Sequence, residues 1–194
     1  MPGAHTHDMI TLISGAALAP LAYYAVEHIT HSVDIARTDT ILLVGAHLLS
    51  GMMFSPDLDI DSAIDNRWGI FRWIWEPYML VVPHRSKLLS HGLIIPPLLR
   101  ILYFFAVTFL VFTGVSWVLG RLGIIIPNYY MQVIHYLTSL AHTRSREVEV
   151  FLLGFITGSA AHTFADFGIV GAFTSAPHHQ HWHPHHHHWT GQRR

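Results

Sequence analysis

Twenty consecutive uncharged residues, Ile101 to Gly120, lie in the middle of this chain and are bracketed by Arg100 and Arg121. A helix of that length extends for about 30 Å, which matches the hydrocarbon core of a bilayer. The run has almost no polar face, whereas a core helix of a soluble protein usually shows one. The run therefore predicts a helix that crosses a membrane.

Three other segments are also apolar over a comparable length, namely Met9 to Val26, Thr40 to Ser55 and Val150 to Gly171. Alternation of apolar and polar residues is weak in all of them, which argues against strands. We therefore predict an all-α membrane protein with about four spanning helices and a long polar loop between the second and third spans. The alternative is a soluble all-helical protein whose apolar segments form a buried core.

Composition narrows the functions that are open to the chain. The formal net charge of its 194 residues is -1, so no basic surface indicates nucleic acid as a partner. Cysteine is absent, which excludes disulfides, thiolate metal sites and cysteine nucleophiles. Eight of the 18 histidines lie between His178 and His188. We predict a helical metal-binding domain over residues 1–176 and a disordered tail over residues 177–194 that binds transition metals loosely.

An aspartate triplet directly follows the second apolar segment. Asp57, Asp59 and Asp61 stand at alternate positions, and in extended chain such residues point to the same side. Three carboxylates beside apolar segments are costly unless they hold a cation. An EF-hand is excluded because the sixth and twelfth positions hold neither the glycine nor the glutamate that it requires. The triplet predicts a metal site, most strongly at Asp57 and Asp59; the alternative is a turn that caps a helix.

Two histidines follow in the same long loop. His84 and His91 are seven residues apart, so on a helix both return to one face. Arg85 stands beside the first of them. Because arginine grips phosphate through two parallel hydrogen bonds, this loop indicates a phosphate ester as the substrate class. The alternative is that the cations of this loop, which favour the cytoplasmic side, only mark the membrane boundary.

Further candidate ligands lie near the two ends of the helical domain. His162 and Asp166 are four residues apart in an apolar segment, where ionisable groups are usually functional. Such a pair can give one ion two ligands or form a simple hydrogen bond. Near the N-terminus, His5, His7 and Asp8 precede the first apolar segment, and Asp8 is equally suited to cap a helix. Carboxylate and imidazole together are ligands for zinc, manganese or non-haem iron.

Three other histidines are better explained without a metal. His28, His31 and His47 belong to apolar helical segments or to their ends, and there they are more typical of core or interfacial histidines than of ligands.

Several rare short motifs, taken in combination, make this chain resemble a bacterial family of metal-binding membrane proteins. That family is similar in turn to the inner-membrane metal-dependent hydrolases. These motifs lie within residues 5–104, and the resemblance extends to a further motif from His162 to Asp166. They are Thr6-His7-Asp8, Pro56-Asp57-Leu58-Asp59, Arg67-Trp68-Gly69, Trp75-Glu76-Pro77-Tyr78, His84-Arg85-Ser86, Ser90-His91-Gly92 and Arg100-Ile101-Leu102-Tyr103. The resemblance implies a multi-pass helical protein of the bacterial inner (plasma) membrane whose histidines and aspartates bind metal. It also favours His7 over His5 as a ligand.

More distantly, the chain resembles the fold of zinc phospholipase C and the single-strand nucleases. In that fold, helices give His and His-x-x-x-Asp ligands to a cluster of zinc ions that cleaves phosphodiesters. This chain departs from the pattern, because it has one such pair where those enzymes use two and lacks their N-terminal tryptophan ligand. The ligand set therefore implies one or two divalent ions, zinc or manganese, in place of three.

Two functional hypotheses follow. The first is a metal-dependent hydrolase at the lipid bilayer that acts on a phosphate ester, lipid-linked esters included. In this hypothesis Asp61 accepts a proton from the attacking water, and Arg85 stabilises the charge on a phosphoryl oxygen. The second is a non-catalytic storage, delivery or sensing protein that collects metal with its histidine-rich tail. The ligands expected for the first are His7, Asp8, Asp57, Asp59, His84, His91, His162 and Asp166.

Overall fold

The computed structural model of the chain describes residues 4–59, 65–82, 92–124 and 129–165, without the side chains of residues 4, 57, 59 and 65. Every regular element in these ranges is a helix, as the sequence predicted. The helices are α1 (Ala4–Thr30), α2 (Val33–Met53), the short 3-10 helices η1 (Pro56–Asp59) and η2 (Asp65–Ile74), α3 (Glu76–Val81), α4 (Ile95–Arg121), α5 (Tyr129–Thr143) and α6 (Ser145–Phe164). The predicted tail lies outside the described residues.

Three long helices, α1, α2 and α6, form the centre of the fold, with α2 packed against both of the others. A link of two residues joins α1 to α2, and the Ser32 hydroxyl caps α2 by accepting from the backbone N–H of Ile35. So short a link makes α1 and α2 antiparallel neighbours. Buried positions recur along α2 every three or four residues, as expected of a helix that faces two partners.

The packing of α2 on α6 depends on two glycines. A side-chain carbon at Gly154 or Gly158 would collide with the carbonyl oxygens of Leu43 and His47, respectively. The backbones of α2 and α6 therefore touch over more than one turn and run in the same direction. Glycine at both positions is what allows so close an approach of two helices, and α2 is the partner of α6.

His47 connects all three central helices. Its Nε2 lies 3.2 Å from the Thr11 carbonyl and 2.9 Å from the Ser14 hydroxyl on α1, and its Nδ1 lies 3.1 Å from the Thr157 hydroxyl on α6. Because a carbonyl only accepts hydrogen bonds, the ring proton belongs on Nε2. Both ring nitrogens of this buried histidine are therefore used for structure, which agrees with its interpretation as a core residue.

An aromatic cluster covers the C-terminal end of α2. Phe54 contacts the edges of Trp68, Trp75, Phe104 and Phe155, which come from η2, the start of α3, α4 and α6. These residues join the three peripheral elements η2, α3 and α4 to the central helices in one hydrophobic core. The described parts of the segment after α2, namely η1, η2 and α3, are therefore packed against this end of the bundle.

By length and composition, two of the described helices could cross a bilayer. They are His5–Thr30, which is most of α1, and Ile95–Arg121, which is α4. Only 6% of the most apolar window of α4 is buried. This helix begins six residues before the uncharged run, because Pro96 and Pro97 lie in its first turn, where proline is tolerated. The spans predicted around α2 and α6 do not meet the same criterion, so a four-span protein stays a prediction.

Candidate metal centre

Two predicted ligands, His7 and His162, come together at one end of the bundle. Their imidazole rings are stacked, with ring centroids 3.9 Å apart and planes at 14°. His7 is 2% exposed and His162 is fully buried. The contact joins α1 to α6 between residues 155 positions apart in the sequence. Imidazole binds metals in its neutral form, which a buried site accommodates at lower cost than a charged ring.

Buried hydroxyl groups line the same end of the helices. Thr11 lies one turn after His7 on α1, and its side chain meets α2 at Gly51 so closely that a Cβ there would overlap it. Ser50 and Ser55 are fully buried beside this contact. Among the described residues, the hydroxyls of Thr11, Ser50 and Ser55 have no hydrogen-bond partner. Buried polar atoms normally have a partner, so this end of the bundle is polar and has capacity for an ion or water.

The predicted ligand Asp8 makes an ion pair. Both of its carboxylate oxygens accept hydrogen bonds from Arg67, at 2.9 and 2.7 Å. Arg67 also donates to the Met52 carbonyl at 2.9 Å. Asp8 is the fifth residue of α1, so it does not cap the described helix, which begins at Ala4. This partner was not predictable from the sequence, because 59 residues separate Arg67 from Asp8.

The aspartates after α2 are only partly described. Their segment, η1, packs on α6 and α3. Leu58, which lies between the two aspartates in the sequence, is fully buried. The backbone of η1 therefore places Asp57 and Asp59 in a segment that contacts α6, the helix of His162. The side chains of these two aspartates are not among the described ones. Five other predicted site residues lie wholly outside the described residues, and they are Asp61, His84, Arg85, His91 and Asp166.

The donors that can be described are fewer than a complete metal site requires. Zinc takes four ligands, at least three of them from the protein in catalytic sites. In the described ranges, no group of three or more His, Asp and Glu side chains is arranged to hold an ion. Two adjacent, buried imidazoles with hydroxyls nearby fit two positions of such a site by their chemistry. The remaining positions require donors from η1 or from the segments outside the description.

A second histidine pair lies at the other end of the bundle. His28 and His31 line an open depression at the end of α1, together with Tyr24 and Glu27. Their rings are 6.5 Å apart and meet edge to face. These side chains are open to solvent or partly so, in contrast to His7 and His162. Their exposure rules out the core position that the sequence left open for them, and the interfacial position stays a prediction.

Comparison with known proteins gave one match. A family model described as "Uncharacterized metal-binding protein (DUF2227)" matches residues 2–175. Searches of curated proteins and of solved structures found no match. The matched region includes all eight predicted ligands of the helical domain and excludes the whole of the histidine-rich tail. The metal-binding property of this family therefore concerns the helical part of the chain.

Proposed function

The chain belongs to that family of metal-binding proteins, and from this premise we propose that it is a membrane-embedded, metal-dependent hydrolase of phosphate esters. The observation that carries the proposal is the buried contact between His7 and His162. Two imidazoles from distant parts of the sequence meet at the end of the bundle where η1 also packs. Such convergence is expected of a site and is not required by helix packing alone.

The proposed ligands are the two stacked histidines together with the carboxylates and histidines that the sequence predicts as ligands. They would hold one or two divalent ions, zinc or manganese. When bound, such an ion polarises a phosphoryl oxygen and makes water a better nucleophile at neutral pH. In this proposal Asp61 accepts the proton of the attacking water, and Arg85 balances the charge on the phosphoryl group. The other predicted ligands that complete the proposed set are Asp57, Asp59, His84, His91 and Asp166.

The membrane location is supported by the outer surface of the bundle. The side of α4 turned away from the core carries large apolar side chains that are mostly exposed, and α1 shows the same feature along its outer face. So large an apolar surface is unusual on a soluble monomer. A bilayer would cover it and place the metal end of the bundle near lipid headgroups. Exposed examples are Ile13, Leu21, Leu102, Phe105, Leu110, Phe112 and Trp117.

Hydrolysis of a chromogenic phosphodiester, bis(4-nitrophenyl) phosphate, tests this function on detergent-purified protein. The chain loaded with zinc or manganese should hydrolyse the ester, and His162→Ala should abolish the activity. The exposed pair of α5 provides the control, because a variant with His135→Ala and His142→Ala should keep full activity.

Turnover of this ester and of phospholipids in mixed micelles should be measured side by side. If the core binds metal and neither substrate is hydrolysed, the enzyme proposal fails and a storage, delivery or sensing role replaces it. If deletion of the tail removes all bound metal, the core has no site, and the tail is the binding element.

A further inference from the structure

The ion pair between Asp8 and Arg67 links three parts of the chain at the metal end. The guanidinium of Arg67 holds both oxygens of Asp8 on α1 and also donates to the Met52 carbonyl in the last turn of α2. Both side chains are about a quarter exposed. Arg67 lies in η2, so this one residue ties the start of α1 to the end of α2 and to the following loop.

The neighbour of Asp8 is His7, which lies in the first turn of α1. The first turn of a helix frays easily, because its N–H groups have no partners within the helix. His7 must nevertheless keep its ring against His162 on a different helix. We propose that the Asp8–Arg67 pair is a positioning device that fixes the first turn of α1 and thereby holds His7 in place for metal binding. This inference rests on the metal site of the proposed function.

The same geometry argues against Asp8 as a direct ligand. Both carboxylate oxygens already accept hydrogen bonds from a cation at 2.9 Å or less. A divalent ion on that carboxylate would sit within a few ångströms of the guanidinium and would be repelled by it. A fork of two parallel hydrogen bonds also fixes orientation better than a single contact does. Asp8 therefore acts on the site through His7.

A matched ion pair at the opposite end of the bundle supplies the control. Arg146 donates to one carboxylate oxygen of Asp39 from two of its nitrogens, at 2.9 and 2.7 Å. It joins α6 to α2 as Arg67 joins α2 to α1. Arg146 and His162 are sixteen residues apart on α6, which corresponds to about 24 Å along the helix. Loss of this pair should weaken the bundle without disturbing the metal end.

The experiment measures thermal unfolding of the full chain in detergent, first with a chelator and then across a zinc titration. An ion that binds only the folded bundle raises the unfolding temperature, whereas equal binding by the tail in both states does not. The zinc-dependent rise gives the apparent affinity of the core site, and the chelator baseline gives the purely structural effect of each variant. Asp8→Asn and Arg67→Gln should each weaken the affinity by about tenfold. The double variant should show little further loss, since both changes remove one interaction.

Three comparisons decide the outcome. Arg146→Gln should lower the chelator baseline and leave the zinc affinity unchanged, and Arg67→Lys, which keeps the charge, should lose less than Arg67→Gln. If Asp8→Asn removes zinc binding while Arg67→Gln leaves it intact or tighter, Asp8 is a ligand and the positioning role is wrong. If neither variant changes a zinc response that His162→Ala abolishes, only the positioning role fails. If the unaltered chain shows no zinc response at all, the metal site of the proposed function fails as well.

Discussion

At the scale of single residues, hydrogen bonds to the C-terminal end of α2 hold several of the distinctive motifs close to the candidate site. The carbonyls of Met52, Met53 and Phe54 accept hydrogen bonds from Arg67, Trp68 and Arg100, respectively. The last carbonyls of a helix have no partners within the helix, so buried ends need such donors. These three side chains therefore support the frame of the site, and none of them is required as a ligand.

A variant of His47 tests whether this histidine has a structural role and does not bind metal. His47→Ala removes hydrogen bonds to α1 and α6 and leaves buried partners unpaired, so it should lower the free energy of unfolding by about 1–3 kcal/mol. The metal content should not change. The exposed variant His135→Ala should stay within about 0.5 kcal/mol of the unaltered chain. Denaturant unfolding and metal analysis of the same samples check this, and loss of metal from His47→Ala would place that residue in the site.

The sequence predicted His7 and His162 as ligands from their residue types and from a family resemblance, and the structure brings these two together. It did not predict the partner of Asp8, because one arginine among many gives no signal for a contact over 59 residues. The hydroxyls of Thr11 and Ser50 were missed for a similar reason. Serine and threonine are common in apolar helices, and only the packing of α1 on α2 shows that these two are buried at the site.

At the scale of the helices, the contact between α2 and α6 sets the geometry of the metal end. His162 follows Gly158 by one helical turn. The close contact of Gly158 with the α2 backbone therefore also determines the position of the His162 imidazole along the bundle. Small residues such as Gly154 and Gly158 permit a close helix contact wherever they occur in an apolar helix. The partner helix and its direction depend on the whole chain, and no local pattern specifies them.

Alanine at Gly158 tests this contact. Gly158→Ala forces a methyl group into the His47 carbonyl, a backbone atom that cannot rotate away, and should cost about 3 kcal/mol in unfolding free energy. Metal affinity should fall with it, because α6 must shift. Gly114→Ala on α4 is the control, since within the described ranges the added methyl group would meet no atom within 4 Å beyond its own stretch of helix. It should be neutral or stabilising, as alanine favours helix by about 1 kcal/mol. Equal stability of the two variants would contradict the observed packing.

At the scale of the whole molecule, the bundle has a polar end with the candidate site, an opposite end with the Asp39–Arg146 ion pair, and an apolar outer wall. The helical class was predictable because composition and long uncharged runs are properties of entire segments. The number of spans was not, since an apolar segment such as α2 suits a protein core and a bilayer equally well. Here α2 is the central helix of the bundle, and α4 has the exposed apolar surface.

The absence of cysteine makes the bilayer prediction easy to test, because an introduced thiol is the only one in the chain. Leu110 is 66% exposed near the middle of α4, and Ser145 is exposed at the start of α6. In opened lipid vesicles, Leu110→Cys should resist a water-soluble maleimide until the protein is denatured, whereas Ser145→Cys should react at once. Equal labelling of both would show that α4 faces water and would overturn the membrane location.

The central claim is that a metal ion is bound inside the bundle, where His7 meets His162. Its most direct test is the metal content of full-length protein whose eight tail histidines are replaced by serine. This chain should retain about one or two zinc or manganese ions per molecule, and His7→Ala combined with His162→Ala should remove them. The exposed pair, His135→Ala with His142→Ala, should leave the metal content unchanged. Full metal content in the His7 and His162 double variant would contradict the account.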